Sequence, residues 1–541
     1  MRLGKLLIIF FISQLAVISP LYAGAPVNVT DYPSLNEKQI GHVRHMINLA
    51  NKLDGDWSMM GNTGGGMNFD AYQFQIAFAA YALAVTQDHF VPAHRDLYQD
   101  TSARLIKKMM YKDVWDYWAQ MSKGEWRIDE NGEDHYYTED DWFGWIDPNI
   151  KQNIMYSGHL LQMLGLHESL FDDDRYDKPG SLTFNFAPVA YGESPLEIVY
   201  DHSRLATVIY DQFVEDDFRG IECERNKVYT ECNQHPILGL IHYDYKHGTS
   251  YAPLVQEEFK KTIINRGYVH PDTHTTMLSL DVHLDEVIHK TYAWSDGWNG
   301  LVHHAWDKEY VEALYDEQVK LYMPQMLEGE PGENMGWTAS FDFGWLAVLA
   351  AEVGDAATVN LMLEYADQYF NPTWLDGGYY YPHTSDYKEN FRRDDEGKIG
   401  NISPVTGNYL VGFARLMPKD GMWSLYNRTR DNEFFAQPYV DGVDYSQATV
   451  SQAYYDSGED ALIVTIVPSE SASNAVTFAV NQLEFGTRYQ IFRDGESIGI
   501  AGSNESATAW NSEQQLIISN ELDSPHSYVI VPASSLVKDS R

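Results

Sequence analysis

A chain of 541 residues with 78 acidic and 38 basic side chains has a formal charge of −40. Such a balance cannot neutralise a phosphate backbone, which excludes nucleic acid as a partner, and it disfavours docking on an anionic membrane surface. The length exceeds one simple core and predicts two domains.

Met1 to Lys5 form a short basic start, Leu6 to about Ile18 a mostly apolar run, and Ala23, Gly24 and Ala25 a small-residue cleavage region. This pattern predicts a signal peptide over residues 1–25 and export to a periplasmic or secreted location. The run is too short for a membrane span, and no later stretch of eighteen apolar residues occurs.

From residue 26 to 428 the pattern is helical. Ile40, Val43, Met46, Ile47 and Ala50 recur at spacings of three and four, predicting a helix with one apolar face. Phe74–Ala84 is denser and predicts a buried helix, and Leu160–Leu166, Leu346–Ala351 and Leu361–Leu363 continue the theme. Helices separated by loops rich in Gly, Pro, Asp and Trp suggest paired helices around a toroid, although periodicity alone leaves other helical arrays open. Lys123 to Asp141 forms an acidic insertion, expected as a solvated surface loop, with a lid or metal-binding loop as the alternative. Its Asp-x-Asn-Gly fragment is too incomplete for a calcium hand. Past residue 429 the pattern turns β-rich. The runs 461–467, 475–480, 489–492, 515–518 and 528–531 predict a small antiparallel β-sandwich, read as an accessory or packing module. Asn-x-Ser/Thr sequons stand at Asn28, Asn401, Asn427 and Asn504.

The chain has two cysteines, Cys223 and Cys232, in one short segment. Export favours a disulfide, which would contribute roughly 2–3 kcal/mol by chain entropy. A metal site fits less well, because the pair with His235 lacks the tighter spacing of structural zinc sites. The third reading is two thiols lining one pocket, one kept protonated by apolar burial and the other made basic by an imidazole. In Asn153-Ile154-Met155-Tyr156-Ser157-Gly158-His159, His159 enters an apolar helix with Met155 one turn earlier. A lone His there is more often a structural hydrogen-bonder.

These two motifs together resemble the linalool dehydratase-isomerase family. Gln75–Ala84 resembles its early inner helix, Ala293-Trp294-x-x-x-Trp298 a later pocket-lining helix, and Phe413–Pro418 its closing segment. The resemblance covers roughly residues 40–420 and leaves the β-rich region outside. It implies an (α/α)6 barrel and a cofactor-free hydro-lyase acting on a small apolar alcohol or alkene, assembled as a homo-pentamer. By position it implies that Cys223 and Cys232 are the acid–base thiols, that His159 polarises or relays protons, and that Asp54 reaches into a neighbouring subunit, with Asp56 its close second. Met155, Phe74, Trp294, Trp298 and Glu224 fall on substrate-lining positions. Three family tyrosines are replaced, near Met60 and at Phe74 and Trp294. Losing these hydroxyls argues against linalool itself and toward a bulkier or stacking terpenoid-like tertiary or allylic alcohol.

Two other classes remain. A carbohydrate-active hydrolase or polysaccharide lyase could draw on Asp296, Asp342 and Asp376, although no two pair by spacing. A non-catalytic exported binding protein would hold the cysteines bonded.

Overall fold

The computed structural model describes residues 25–61, 71–129, 131–139, 144–187, 195–327, 339–382, 402–469, 475–501 and 508–534. Residues 1–24 of the predicted signal peptide and the sequons at Asn401 and Asn504 lie outside these residues. Among them, no helix is long and apolar enough to cross a membrane.

Among the described residues, thirteen helices of six residues or more carry the first part of the chain: α1 (Glu37–Ala50), α2 (Tyr72–Phe90), α3 (Asp96–Met109), α4 (Ile154–Phe171), α5 (His202–Glu215), α6 (Thr230–His247), α7 (Tyr251–Asn265), α8 (Ala293–His304), α9 (Lys308–Leu327), α10 (Ala339–Val353), α11 (Ala356–Tyr369), α12 (Val411–Leu416) and α13 (Gly421–Asn427). Two kinds alternate. In α5 the buried positions are His202, Leu205, Ala206, Ile209, Gln212 and Phe213, and in α7 they are Ala252, Val255, Phe259 and Ile263. Spacings of three and four give one buried stripe on an otherwise wetted helix. In α4, every residue from Ile154 to Leu170 is buried, and α2, α6, α8 and α10 are nearly as enclosed. A helix apolar all round has neighbours on all sides. The enclosed helices α2, α4, α6, α8, α10 and α12 contact one another in that order, and α12 packs back on α2.

The closest junction is between α4 and α6. A Cβ on Gly158 would meet Pro236 Cδ at 2.7 Å, and one on Gly239 would meet Leu161 Cγ at 2.6 Å. The missing side chains let the two backbones approach, and both motif-bearing segments come together.

Helix α1 departs from the expected single apolar face, being buried almost throughout from Gly41 to Ala50. Its outer side is covered by the Thr373–Leu375/Gly378–Tyr380 hairpin and by the β-rich region: Arg44 donates to Thr449 Oγ1 (2.9 Å) and the Tyr445 carbonyl (3.1 Å).

That β-rich region begins at Tyr439 and forms two antiparallel sheets. One joins strands 439–441, 475–481, 516–521 and 508–510; the other joins 448–456, 461–468, 526–532, 489–493 and 496–500. Their inner faces share one core, with Phe478 edge-on to Tyr528 at 5.2 Å. The region is stitched to the helices. Val440 and Ala453 exchange backbone hydrogen bonds with Ala93, and Asp88 is held by both Arg428 and Arg430.

The acidic insertion is exposed over residues 131–135, as expected, and the structure adds an ordered pairing to it. Gly124–Ile128 and Asp134–Thr138 pair as a hairpin. Asp134 reaches Lys227 Nζ at 2.8 Å, and Lys227, fully buried, also meets Asp281 at 3.1 Å. Trp126 N–H donates to the Arg225 carbonyl and the Trp126 carbonyl accepts from Asn226 Nδ2. The insertion therefore braces the turn that carries Cys223.

Candidate active site

Cys223 sits in a tight turn between α5 and α6. Its N–H donates to the Lys227 carbonyl (2.9 Å), and the Lys227 N–H donates to the Glu224 carbonyl (3.0 Å). Asn226 takes a positive φ of 73° in this turn, a conformation Asn tolerates better than most residues. Ile154 N–H donates to the Glu222 carbonyl, tying the turn to the start of α4. Cys232 lies in the first turn of α6. The next residue, Asn233, clamps the two together: its Oδ1 accepts from Ile221 N–H (2.7 Å), and its Nδ2 donates to the carbonyls of Ile221 (3.0 Å) and Tyr229 (2.9 Å).

Both cysteines are free and buried, so the disulfide reading does not describe this structure. The two thiols lie close enough to perturb each other's titration. Burial pushes the Cys223 thiol well above its ordinary value, and the Cys232 thiol up to about 11. Two neighbouring carboxyls shift the same way. Burial raises Glu224 to about 7 and Glu231 to about 8. Each has one oxygen, Oε2, buried and without a hydrogen-bond partner among the described residues. Their charges couple to both thiols and to Tyr229. Burial thus disfavours the charged form of all four groups.

The second half of the site is aromatic. His159 Nδ1 shares a hydrogen bond with Tyr81 OH (2.8 Å), while its Nε2 is buried and without a hydrogen-bond partner among the described residues. Burial lowers His159 to about 3, so the ring is neutral. His235, one turn after Cys232 on α6, lies with its ring centre 3.8 Å from that of His159. Trp298 Nε1–H, which can only donate, gives its hydrogen to His235 Nε2 at 2.7 Å. His235 must therefore carry its proton on Nδ1, which donates to Gln162 Oε1 (2.6 Å), and Gln162 Nε2 in turn donates to Tyr426 OH (2.7 Å). His235 is fully engaged and is not available as a ligand beside the cysteines. Phe74 stands edge-on to His159 (5.6 Å) and Trp298 (5.3 Å), and Trp298 stacks on Trp345 at 4.7 Å.

Of the residues singled out in the sequence, Cys223, Glu224 and Cys232 form one coupled group, and Phe74, His159 and Trp298 another. The groups join through α6, which carries both Cys232 and His235, and through the contact of α6 with α4. Met155 is buried one turn before His159, and Trp294, half-buried, lies 6.5 Å from Trp298. Asp54 and Asp56 are elsewhere. Asp54 is exposed and pairs with Lys107 (3.0 Å), and Asp56 pairs with Lys52 (3.6 Å). Met60 is buried. Asp296 is already saturated by Thr276 N–H, Gln318 and Tyr322, and Asp342 accepts from Trp294 N–H. Sequence reasoning missed Glu231 and Tyr81. Adjacency to Cys232 was the one available sign for Glu231, and an acid in a first helical turn is ordinarily explained by the helix dipole.

Buried thiols and carboxyls thus stand on the same helical scaffold as a set of packed aromatic rings. Residues 73–387, more than half of the chain, match the linalool dehydratase/isomerase family, and the chain belongs to that family. Among solved structures it is similar to Dfg5 from Chaetomium thermophilum in complex with glucosamine, at 10% identity and TM-score 0.40 over 73% of this chain and 92% of that one. It is also similar to endoglucanase CelQ from Clostridium thermocellum complexed with cellobiose and cellotriose, at 9% identity and TM-score 0.36 over 92% of each chain. Neither likeness is close enough to inform the site.

Proposed function

We propose that this protein is a cofactor-independent hydro-lyase that removes water from, or adds it to, a terpenoid-like tertiary or allylic alcohol, and that its six enclosed helices form the inner ring of an (α/α)6 barrel. Family membership supports the dehydratase/isomerase reading. The observation that supports extending it to these residues is that both cysteines are free and buried beside Glu224 and Glu231, each of which has a buried oxygen without a hydrogen-bond partner among the described residues.

In this scheme Glu231, protonated at neutral pH, gives its proton to the leaving hydroxyl. The C–O bond breaks, water departs, and positive charge develops on the tertiary or allylic carbon. The Trp298 face stabilises that charge. A neighbouring C–H proton passes to the ionised form of Glu224, its electron pair closing the alkene. Glu231 has then lost one proton and Glu224 has gained one. The Cys223–Cys232 pair, which flanks these two acids in sequence, returns the proton. With both thiols protonated at rest, the thiols serve better as relay and acid than as the resting base. His159 offers Nε2 to the substrate hydroxyl.

The test is turnover of tertiary allylic alcohols by Cys223→Ala, Cys232→Ser and Glu231→Gln. Each positioned acid or base contributes about 10²–10⁴-fold, so each variant should lose at least about a hundredfold. Full turnover in both cysteine variants removes the thiols from the mechanism. Turnover of uronic-acid oligosaccharides instead of alcohols replaces the whole reading with the carbohydrate-active one.

The proposal extends to assembly and location. A catalytic role for exposed Asp54 requires a neighbouring copy, as in a homo-pentamer, which sedimentation of the purified protein checks. Export with cleavage near residue 25 is checked by the mature N-terminal sequence.

A further inference from the structure

Far from the thiols, four elements converge on a second cluster. Glu168 lies near the end of α4, Asp177 closes the short 3₁₀ turn Arg175–Asp177, His202 opens α5 and His247 ends α6. One donor atom from each lies within 4.8 Å of all the others. His202 Nδ1 is 3.2 Å from Glu168 Oε2 and 3.5 Å from Asp177 Oδ1. His247 Nε2 is 3.3 Å from the same Glu168 oxygen and 3.4 Å from the same Asp177 oxygen.

Those four separations match a coordination polyhedron. Zinc binds imidazole nitrogen and carboxylate oxygen at about 2.0–2.2 Å in a tetrahedron, whose edges are then about 3.3–3.6 Å. The donors are hard oxygen and borderline nitrogen, a set that suits zinc better than magnesium or calcium, which take mostly oxygen. Charge balances too, since two carboxylates and two neutral imidazoles offset a divalent cation. Among the described residues, no lysine or arginine occupies the cluster: Arg175 is drawn to Asp173 and Lys246 to Asp172. Glu168 and His202 are buried, whereas His247 and Asp177 are 20% and 27% exposed, leaving a path from solvent. Tyr243 stacks on the His247 ring at 4.2 Å and stands edge-on to His202 at 5.0 Å, fixing both imidazole planes.

We propose that Glu168, Asp177, His202 and His247 bind one zinc ion. The site is structural rather than catalytic. His247 lies about 22 Å along α6 from Cys232, at 1.5 Å per residue. All four positions are filled by protein, as in closed structural sites. The ion would fasten the far ends of α4 and α6 to the start of α5. Two other groups converge among the described residues, His304–Glu312–Asp420 and His94–Asp96–Asp441, but each offers only one imidazole.

The experiment uses the full, tag-free chain, stripped with chelator and titrated with zinc sulfate by calorimetry. Thermal unfolding and the visible spectrum after cobalt substitution are read alongside. The expected result is one zinc per chain, a rise in unfolding temperature, and the intense bands of tetrahedral cobalt. His247→Ala and Asp177→Asn, chosen for their partial exposure, should weaken that equivalent at least tenfold while leaving the circular dichroism spectrum intact. Absence of zinc binding, octahedral cobalt, or unchanged affinity in both variants overturns the proposal. The cobalt spectrum of the unaltered chain decides the matter even if a variant misfolds.

Discussion

Replacing Asn233 with alanine removes three hydrogen bonds at once, those to Ile221 N–H, Ile221 C=O and Tyr229 C=O. Ile221 is fully buried, so its two backbone groups lose their partner in a place water does not reach. Each stranded group costs about 1–3 kcal/mol. The Tyr229 carbonyl is only partly buried and adds little. The sum is about 2–6 kcal/mol, a large share of the 5–15 kcal/mol that holds most domains folded. Cys223 hangs on that segment, two residues past Ile221, while Cys232 stays on α6. Loosening the clamp should separate the sulfurs and open both to solvent. Urea unfolding followed by tryptophan fluorescence reads the first effect, and the rate of thiol modification on folded protein reads the second. Asn233→Asp keeps the acceptor for Ile221 N–H and loses the two donors, so it should fall between. Stability within about 0.5 kcal/mol of the parent, the range of ordinary surface changes, together with an unchanged thiol rate, refutes the clamp.

Glu224 and Glu231 are raised by burial to about 7 and about 8. Between the ordinary carboxylate range and those values the folded chain holds more protons than the unfolded one, so their contribution to stability is full at low pH and lost as pH rises through 7 to 8. Denaturant midpoints from pH 5 to 9 should fall in the parent, and Glu231→Gln should flatten that slope. Tyr81→Phe leaves His159 Nδ1 without its hydrogen bond to Tyr81 OH at a buried site, which should cost about 1–3 kcal/mol and reduce turnover under the proposed mechanism; unchanged kinetics argue against His159 acting on the substrate. Asp88 neutralises Arg428 and the buried Arg430 where the helices meet the β-rich region. Asp88→Ala should cost about 3–5 kcal/mol, measured by thermal or urea unfolding, and a loss below about 1 kcal/mol would mean that the two arginines find water instead.

Helix identity was legible because burial leaves its mark on spacing. Phe74–Ala84 and Leu160–Leu166 fall inside α2 and α4, and the run at 461–467 became strand 461–468. Strands 439–441, 448–456, 496–500 and 508–510 had no strong apolar alternation and went unread. The pairing of Cys223 with Cys232 was visible as proximity along the chain, but not whether they were bonded, since compartment argues one way and local geometry decides. The charges at 131–135 read as solvated and are exposed, but the hairpin of the insertion went unread. Its use as a brace depends on Lys227, a residue whose partnership no local pattern announces. Glu231 hid for the related reason that only enclosure turns a common helix-start acid into a group titrating near 8.

The thread Trp298–His235–Gln162–Tyr426 looks at first like a conduit across the helices. A conduit needs each station both to release and to receive hydrogen. The indole can only release it, and an amide trades its own hydrogens with difficulty. The thread is therefore an insulating girder. It holds His235 in one tautomer beside the ring of His159, fixed as a donor toward Gln162 and an acceptor toward Trp298.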